Sequence, residues 1–268
     1  SKKNNLSSVL VTYNPNPKAI LNKKINYEIK VLMDYDSKIN IIKKLGIDYL
    51  WIIPFDKKFS KITAKYFIKD YINTLNPVDI LVGYNHFFGY KKEGDINFLF
   101  QMSNLYNYTL HKVDKIVCDN TDVNSSNIRK YLLERKINLA NKLLGRNYSI
   151  RGKVIKGNGI GRNINFPTAN ILPIDNDQLI PSNGVYCVDV QIKEEKYLGM
   201  CNIGVRPTFC DDNIVNIEVH VITDDNISIY GKNVTIHFKE YIRQEKKYKN
   251  KEQLITQLKK DKYLCLSN

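Results

Sequence analysis

The sequence lacks the long apolar segments that mark membrane and secreted proteins. No apolar run approaches the roughly 20 residues that a membrane helix needs. The basic amino-terminal residues lead into the short run VLVTY, which is too short for the core of a signal peptide and is followed by no small-residue cleavage site. We therefore expect neither a membrane partner nor export.

The sequence also lacks the cysteine spacing of a disulfide-rich or zinc-binding protein. Its five cysteines are odd in number, scattered along the chain and without any C-x-x-C pair. They are Cys118, Cys187, Cys201, Cys210 and Cys265. This pattern argues against a disulfide framework and against a zinc site, and it predicts a cytoplasmic protein.

The composition is that of a globular chain with room for a large core. Its 268 residues exceed the usual size of one domain, which favours two. The net charge of +14 would suit a nucleic acid partner. Because the basic residues are spread along the whole length, we expect no nucleic acid partner, only a mild preference for small anionic ligands.

The first half of the chain alternates apolar runs with amphipathic segments from residue 8 to about 145. Such alternation predicts a mostly parallel sheet with helices on its faces and a ligand beyond the carboxyl ends of the strands. A pair of helices is predicted over 125–145, with Ser125 or Ser126 as the amino-terminal cap and Gly145 as the stop.

The second half changes character after Gly145. Short strand-like runs are separated by Gly, Pro, Asn and Asp, and only the last segment has helical spacing. These strands with one terminal helix predict a small antiparallel β-barrel. We therefore predict two domains, residues 1–145 and 146–268.

A glycine-rich stretch, GNGIGRNINFPTAN, occupies residues 157–170. It matches neither the dinucleotide fingerprint nor the Walker loop, and a surface loop between strands is the alternative interpretation. If the end of the stretch is extended, Thr168 and Asn170 point the same way. A hydroxyl and an amide oxygen suit Mg²⁺, which takes few protein ligands, and the glycines would let backbone N–H groups approach phosphates.

Glu218 lies within a strand-like run, NIVNIEVHVIT. Alternation places Ile217 and Val219 on one face of that strand and Glu218 on the other. A solvated strand face is one interpretation. The other is a general base for phosphoryl transfer to an alcohol, a reaction that needs one group to accept the hydroxyl proton.

The second half resembles the riboflavin kinase domain of bacterial bifunctional riboflavin kinase/FAD synthetases over residues 147 to about 264. The resemblance rests on GNGIGRNINFPTAN, GVYCVDV, LGMCNIGVRPTF, IEVHV and YGKNVTIHFKEYIRQEKKY, in this order. It implies ATP and riboflavin as substrates, FMN as product and Mg²⁺ as cofactor. The implied roles are Glu218 as the base, Thr168 and Asn170 at Mg²⁺ and ATP, Gly157, Gly159 and Arg162 at the nucleotide, and Arg243, Lys246 and Tyr248 near the flavin.

The first half is similar to the adenylyltransferase domain of the same family, a nucleotidyltransferase-type, Rossmann-like fold. The similar blocks are VLVTYNPNP, IIPFDKKFSKIT, ILVGYNHFFGYKKEGD and VNSSNIRKYL. The resemblance implies ligand-binding roles for Asn85, Ser125, Ser126 and Arg129. A turn residue at Asn85 and a helix cap at Ser125 remain the alternatives.

One element of that family is missing from this sequence. The family carries a His-x-Gly-His loop after its first strand, and this sequence begins downstream of that loop and of the strand. The sequence is either an amino-terminally incomplete copy or a chain that has lost the chemistry of that half. We expect a sheet without its first strand and formation of FMN but not FAD. A flavin-binding module without turnover is the alternative function.

Overall fold

The computed structural model describes residues 1–21, 30–156, 164, 166–206, 214–223, 227 and 229–267. The chain divides into two compact units, one with residues 1–29 and 39–117 and the other with residues 30–38 and 118–268. No helix among the described residues is long and apolar enough to cross a membrane. The limits 1–145 and 146–268 remain a prediction for the two domains.

The described residues up to 113 form four strands and four α-helices. They are β1 (Val9–Asn14), α1 (Pro17–Leu21), α2 (Tyr35–Lys44), β2 (Tyr49–Pro54), α3 (Ala64–Asp70), β3 (Asp79–Gly83), α4 (Ile96–Tyr106) and β4 (Thr109–Val113). Short 3₁₀ turns occur at Lys2–Asn4, Phe59–Lys61, Ile72–Leu75 and Tyr90–Lys92. Strand β1 pairs with β2 and β3 with β4, both in parallel, which confirms the predicted parallel pairing.

Local sequence signals explain where helices α3 and α4 begin. The Thr63 side chain accepts a hydrogen bond from the backbone N–H of Tyr66, and Asp95 accepts one from the N–H of Phe98. Such caps satisfy N–H groups that have no partner within the helix. Helices α3 and α4 then bury Phe67, Ile68 and Leu99 in the core of the unit.

Among the described residues after 113, six strands form a closed barrel, β5 and β6 form a separate two-stranded sheet, and three helices are present. The elements are β5 (Val117–Cys118), β6 (Thr121–Asp122), α5 (Ser125–Leu133), α6 (Ile137–Leu144), β7 (Tyr148–Ile155), β8 (Ala169–Pro173), β9 (Gly184–Ile192), β10 (Glu195–Arg206), β11 (Ile214–Val221), β12 (Asn233–Arg243) and α7 (Lys251–Ser267). The barrel order is β10-β11-β8-β7-β12-β9, and its pairings are antiparallel. The predicted barrel with a terminal helix is confirmed.

The helical pair before the barrel was predicted correctly except for its cap. Helix α5 begins at Ser125, but the cap is Asn124, whose side chain accepts a hydrogen bond from the N–H of Asn127. The prediction of Ser125 or Ser126 as the cap was therefore wrong, because Asn caps as well as Ser and stands one residue earlier. Helix α6 ends at Gly145 with φ +65°, the left-handed stop that the sequence predicted.

Alternation along the strands separates a core face from an outer face of the barrel. Ile217, Val219, Cys201 and Ile203 belong to the barrel core and are at most 1% exposed. Glu218 occupies the opposite face of β11, between Ile217 and Val219. The face predicted for Glu218 is therefore the face that it occupies.

The cysteines depart from the expectation drawn from their spacing. Cys187 of β9 and Cys265 of α7 form a disulfide. They stand 78 residues apart, and only the packing of the helix on the barrel brings them together, so spacing carried no signal. Cys201 is a free, buried thiol whose pKa is raised by burial and by the charge of Glu218. Cys210 lies outside the described residues.

Candidate active site

Three polar residues lie side by side on the outer face of adjacent barrel strands. In the antiparallel register Glu218 of β11 lies opposite Asn170 of β8 on one side and opposite Asn202 of β10 on the other. Neighbouring strands lie about 4.8 Å apart, and residues in register point to the same face. These residues therefore form a row, Asn170–Glu218–Asn202, with the carboxylate in the middle.

Asn170 presents a buried oxygen to this row. The residue is 5% exposed, and its side-chain Oδ1 has no hydrogen-bond partner among the described residues. Thr168 is half-buried and stands two residues earlier, directly before β8. A buried acceptor without a donor is unfavourable, so the site suits a ligand that satisfies this oxygen.

Glu218 is half-buried and is held by a neighbour on its own strand. The Asn216 side-chain Nδ2 donates to Glu218 Oε1 at 2.8 Å. Because a carboxylate only accepts, the amide must present its NH₂ group here. Asn216 thus fixes one carboxylate oxygen of Glu218.

His220 anchors the segment that leads into β8. Its Nδ1 lies 2.9 Å from the carbonyl oxygen of Pro167, so Nδ1 carries the proton and donates. Its ring also packs against the Phe166 ring, with centroids 5.1 Å apart. Burial lowers the pKa of His220, although the bond to Pro167 opposes that effect. A neutral His220 therefore ties β11 to the residues just before Thr168.

Arg243, at the end of β12, is bound to a carboxylate on the terminal helix. Its Nη2 lies 2.7 Å from Asp261 Oδ2, and Nε contacts both carboxylate oxygens at 3.1 and 3.0 Å. Asp261 is fully buried and also accepts from Gln257 Nε2 at 2.8 Å. Burial by itself lowers the pKa of Arg243, but the bond to Asp261 outweighs it and the pKa is raised. The guanidinium therefore stays charged and joins β12 to α7.

The segment after β12 carries the other two predicted flavin residues. Lys246 is exposed. Tyr248 is half-buried beneath Arg243, whose guanidinium carbon lies 5.9 Å from the ring centroid. Burial raises the Tyr248 pKa, and its hydroxyl has no partner among the described residues. Three of the five buried, unpartnered side-chain atoms in the described chain thus belong to Asn170, Asn202 and Tyr248.

The nucleotide loop predicted from the glycine-rich stretch lies outside the described residues. This applies to Gly157, Gly159 and Arg162. Their assignment to ATP remains a prediction.

The four residues predicted to bind ligand in the adenylyltransferase half are divided between the two units, and Arg129 alone among them is half-buried. Asn85 lies in an exposed turn after the carboxyl end of β3, which is where a parallel sheet binds ligands. In the other unit, Ser125 and Ser126 open helix α5 and are exposed. Arg129, one turn later, donates from Nε to the carbonyl of Lys30 at 2.8 Å.

Several site residues were not singled out from the sequence. They are Asn202, Asn216, Glu245 and Asp261, and only Asn216 has its partner on the same strand. Asn216 and Glu218 share a face of one strand, so their spacing of two was a usable signal. The other three have no local signal, because their partners are distant in the sequence.

Family models match both halves of the chain. A riboflavin kinase model matches residues 144–267, and an FAD synthetase model matches residues 1–127. The bifunctional riboflavin kinase/FMN adenylyltransferase of Listeria monocytogenes is 34% identical over 256 residues, which are 96% of this chain and 80% of that protein. The protein of the same name from Buchnera aphidicola of Schizaphis graminum is 38% identical over 264 residues, with coverage of 97% and 83%.

A solved structure extends the comparison to the fold. The crystal structure of a Streptococcus pneumoniae protein named as a macrolide-efflux protein superposes with a TM-score of 0.89 at 30% identity, covering 98% of this chain and 84% of that one. Its name describes another activity, whereas both family models and the curated relatives agree with one another. The chain therefore belongs to the family of bifunctional riboflavin kinase/FMN adenylyltransferases, and its barrel is the riboflavin kinase domain of that family.

Proposed function

We propose that this chain transfers the γ-phosphoryl group of ATP to the ribityl 5′-hydroxyl of riboflavin, giving FMN and ADP. The observation that carries the proposal is the register of Glu218 with Asn170. Phosphoryl transfer to an alcohol needs an acceptor for the hydroxyl proton beside the groups that bind the nucleotide. The row supplies a carboxylate and a buried neutral oxygen on neighbouring strands.

Glu218 is the proposed general base. It accepts the proton of the attacking hydroxyl as the bond from that oxygen to phosphorus forms, and the bond to the ADP oxygen breaks. Asn216 donates to one oxygen of the carboxylate and so holds the side chain beside Asn170. General base catalysis requires a carboxylate held within hydrogen-bond distance of the hydroxyl that loses its proton.

Mg²⁺ is the proposed cofactor, with Asn170 and Thr168 as its protein contacts. Asn170 Oδ1 is a hard, neutral oxygen, buried and without a described partner, so it fits a magnesium ligand. The described residues contain no cluster of three or more His, Cys, Asp or Glu that could hold a metal alone. A site with few protein ligands suits Mg²⁺, which when bound neutralises charge on the ATP phosphates.

Replacing either oxygen ligand tests the metal contact. We expect Thr168→Ala and Asn170→Ala each to lower FMN formation severely, because the phosphates lose their in-line position. The fold should be kept, as circular dichroism would show. Wild-type turnover in either variant at saturating Mg²⁺ would refute that residue as a ligand.

The flavin is proposed to lie toward the segment after β12. Tyr248 offers a buried hydroxyl without a described partner, and Lys246 an exposed charge. Asp261 holds the Arg243 guanidinium in place, and we propose that Arg243 contacts the flavin from this fixed position.

Product analysis of the chain tests the function of both halves. With ATP, Mg²⁺ and riboflavin we expect FMN to accumulate and FAD to stay absent, because this sequence contains no His-x-Gly-His pair for the adenylyl step. Asn85, Ser125, Ser126 and Arg129 would then bind ligand without completing that reaction. Binding of riboflavin without FMN formation would indicate a flavin-binding module instead. Robust FAD formation would refute the expectation that this chain forms FMN alone.

A further inference from the structure

Asn202 is the one residue of the row Asn170–Glu218–Asn202 that has no role in the proposed reaction. It lies on β10, opposite Glu218, on the side away from Asn170. A hydroxyl that hands its proton to Glu218 would lie near this side chain, because the two strands are about 5 Å apart. That is about the separation of groups two or three carbons apart along a polyol.

The orientation of the Asn202 amide follows from its partner. Its Nδ2 donates to Glu245 Oε1 at 3.0 Å. Because a carboxylate accepts and never donates, the NH₂ group must face Glu245 and Oδ1 must face the other way. That Oδ1 is buried and has no partner among the described residues. The amide therefore presents an acceptor without a partner in the described part of the chain, and the bond to Glu245 fixes its orientation.

The Glu245 carboxylate packs against the backbone of Gly204. A Cβ at Gly204 would lie 2.3 Å from Glu245 Oε1 and 2.8 Å from its Cδ, so any side chain there would displace the carboxylate. Gly204 stands two residues after Asn202 and thus shares its face of β10. Glycine at this position makes room for the group that orients Asn202.

We propose that Asn202 Oδ1 accepts a hydrogen bond from a hydroxyl of the ribityl chain other than the one phosphorylated, and that Glu245 is the positioning residue that sets this amide. The proposal rests on riboflavin as the substrate. An acceptor oxygen repels phosphate oxygens and needs a donor, and the hydroxyls beside the reacting one are the nearest donors on the substrate. Asn202 is thus a specificity residue for a hydroxylated side chain.

The test pairs two variants with two substrates. The second substrate is a riboflavin analogue with a linear pentyl side chain that keeps only the terminal hydroxyl. Asn202→Leu should raise KM for riboflavin about tenfold, with a smaller change in kcat, and should leave KM for the analogue unchanged. Asn233→Leu, at an exposed asparagine that opens β12, is the matched control and should change neither.

Glu245 variants separate positioning from packing. Glu245→Gln keeps an acceptor for the Asn202 amide and should retain near-wild-type KM, whereas Glu245→Leu should show the same riboflavin-selective loss as Asn202→Leu. The double leucine variant should be no worse than either single variant, because both remove one interaction. Additive losses would overturn the role of Glu245.

Two outcomes would overturn the role of Asn202. One is an equal loss with riboflavin and with the analogue, which would mean that the side chain only supports the strand. The other is an unchanged riboflavin KM in Asn202→Leu or, should that variant not fold, in Asn202→Ala. If the wild-type chain forms no FMN, the proposed function fails instead, and fluorescence titration of the same variants with both flavins decides the matter for Asn202.

Discussion

Among the described residues every strand of the barrel is bonded on both sides, whereas each of the four strands β1–β4 is bonded on one side only. The burial of side chains follows the same division. Strand β9 buries seven of its nine residues, while Leu81 in β3 is 67% exposed and Tyr49 in β2 is 62% exposed. The closed half can hold a row of side chains in register, and the open half offers loop positions such as Asn85.

The largest expected effect tests whether phosphoryl transfer depends on the barrel rather than on the open sheets. Glu218→Gln keeps the size and hydrogen-bonding shape of the side chain but removes the proton acceptor, so turnover should fall by roughly 10² to 10⁴. Riboflavin and ATP affinity should hardly change, because the proton moves only in the transition state. Single-turnover phosphorylation measured beside a riboflavin titration checks this. Unchanged turnover would make Glu218 an ordinary surface residue, and a parallel loss of binding would make it a flavin-positioning one.

The next effect breaks the connection between the barrel and its terminal helix. Arg243→Met leaves the fully buried Asp261 without its counter-charge, which should lower the free energy of unfolding of the barrel by about 3–5 kcal/mol. The double variant with Asp261→Leu removes both charges and should recover most of that loss. Urea unfolding followed by circular dichroism measures both.

The same double variant separates two roles of Arg243. If its stability returns but riboflavin binding does not, the guanidinium itself contacts the flavin. If both return, Arg243 serves only to hold α7. A barrel as stable in Arg243→Met as in the wild type would contradict the structural role.

A smaller effect concerns the stability of the two units themselves. Strands with a free edge and exposed apolar side chains open more readily than strands in a closed barrel. Backbone amides of β1–β4 should therefore exchange with solvent faster than those of β7–β12, as hydrogen exchange followed by mass spectrometry would show. Equal protection of both halves would mean that the open sheets are as stable as the barrel.

The smallest expected effect is a dependence of barrel stability on pH. Because burial lowers the pKa of His220, the unfolded chain takes up a proton at a higher pH than the folded chain does. Neutral His220 therefore contributes to the free energy of unfolding. This contribution is fully present above the pKa of the unfolded chain, near 6.5, and is lost as the pH falls through the lower pKa of the folded chain. His220→Asn keeps an N–H donor for Pro167 but does not titrate. The Tm of this variant should fall less between pH 7.5 and 5.5 than that of the wild type. Part of the pH dependence of Tm should remain, because burial also lowers the pKa of His237.

Alternation and turn residues predicted much of this structure from the sequence. The stop at Gly145, the barrel strands and the outward face of Glu218 all depend on neighbours within a few residues. Asp261, Asn202 and the pair Cys187–Cys265 depend on partners brought close by strand pairing and helix docking. Such partners carry no spacing signal, which is also why the disulfide was not anticipated.

The row of polar residues has a consequence for how this domain can vary. Strand β11 is bonded to β8 on one side and to β10 on the other, so its register is fixed twice. Deleting one residue within β11 would exchange Glu218 for an apolar neighbour on the outer face and drive the carboxylate into the core. A side chain of β11 lies on one face or on the other, and a shift of register by one residue exchanges the faces. Changes of length are therefore compatible with the site only in the connections between strands, and the strands themselves admit substitution but not insertion.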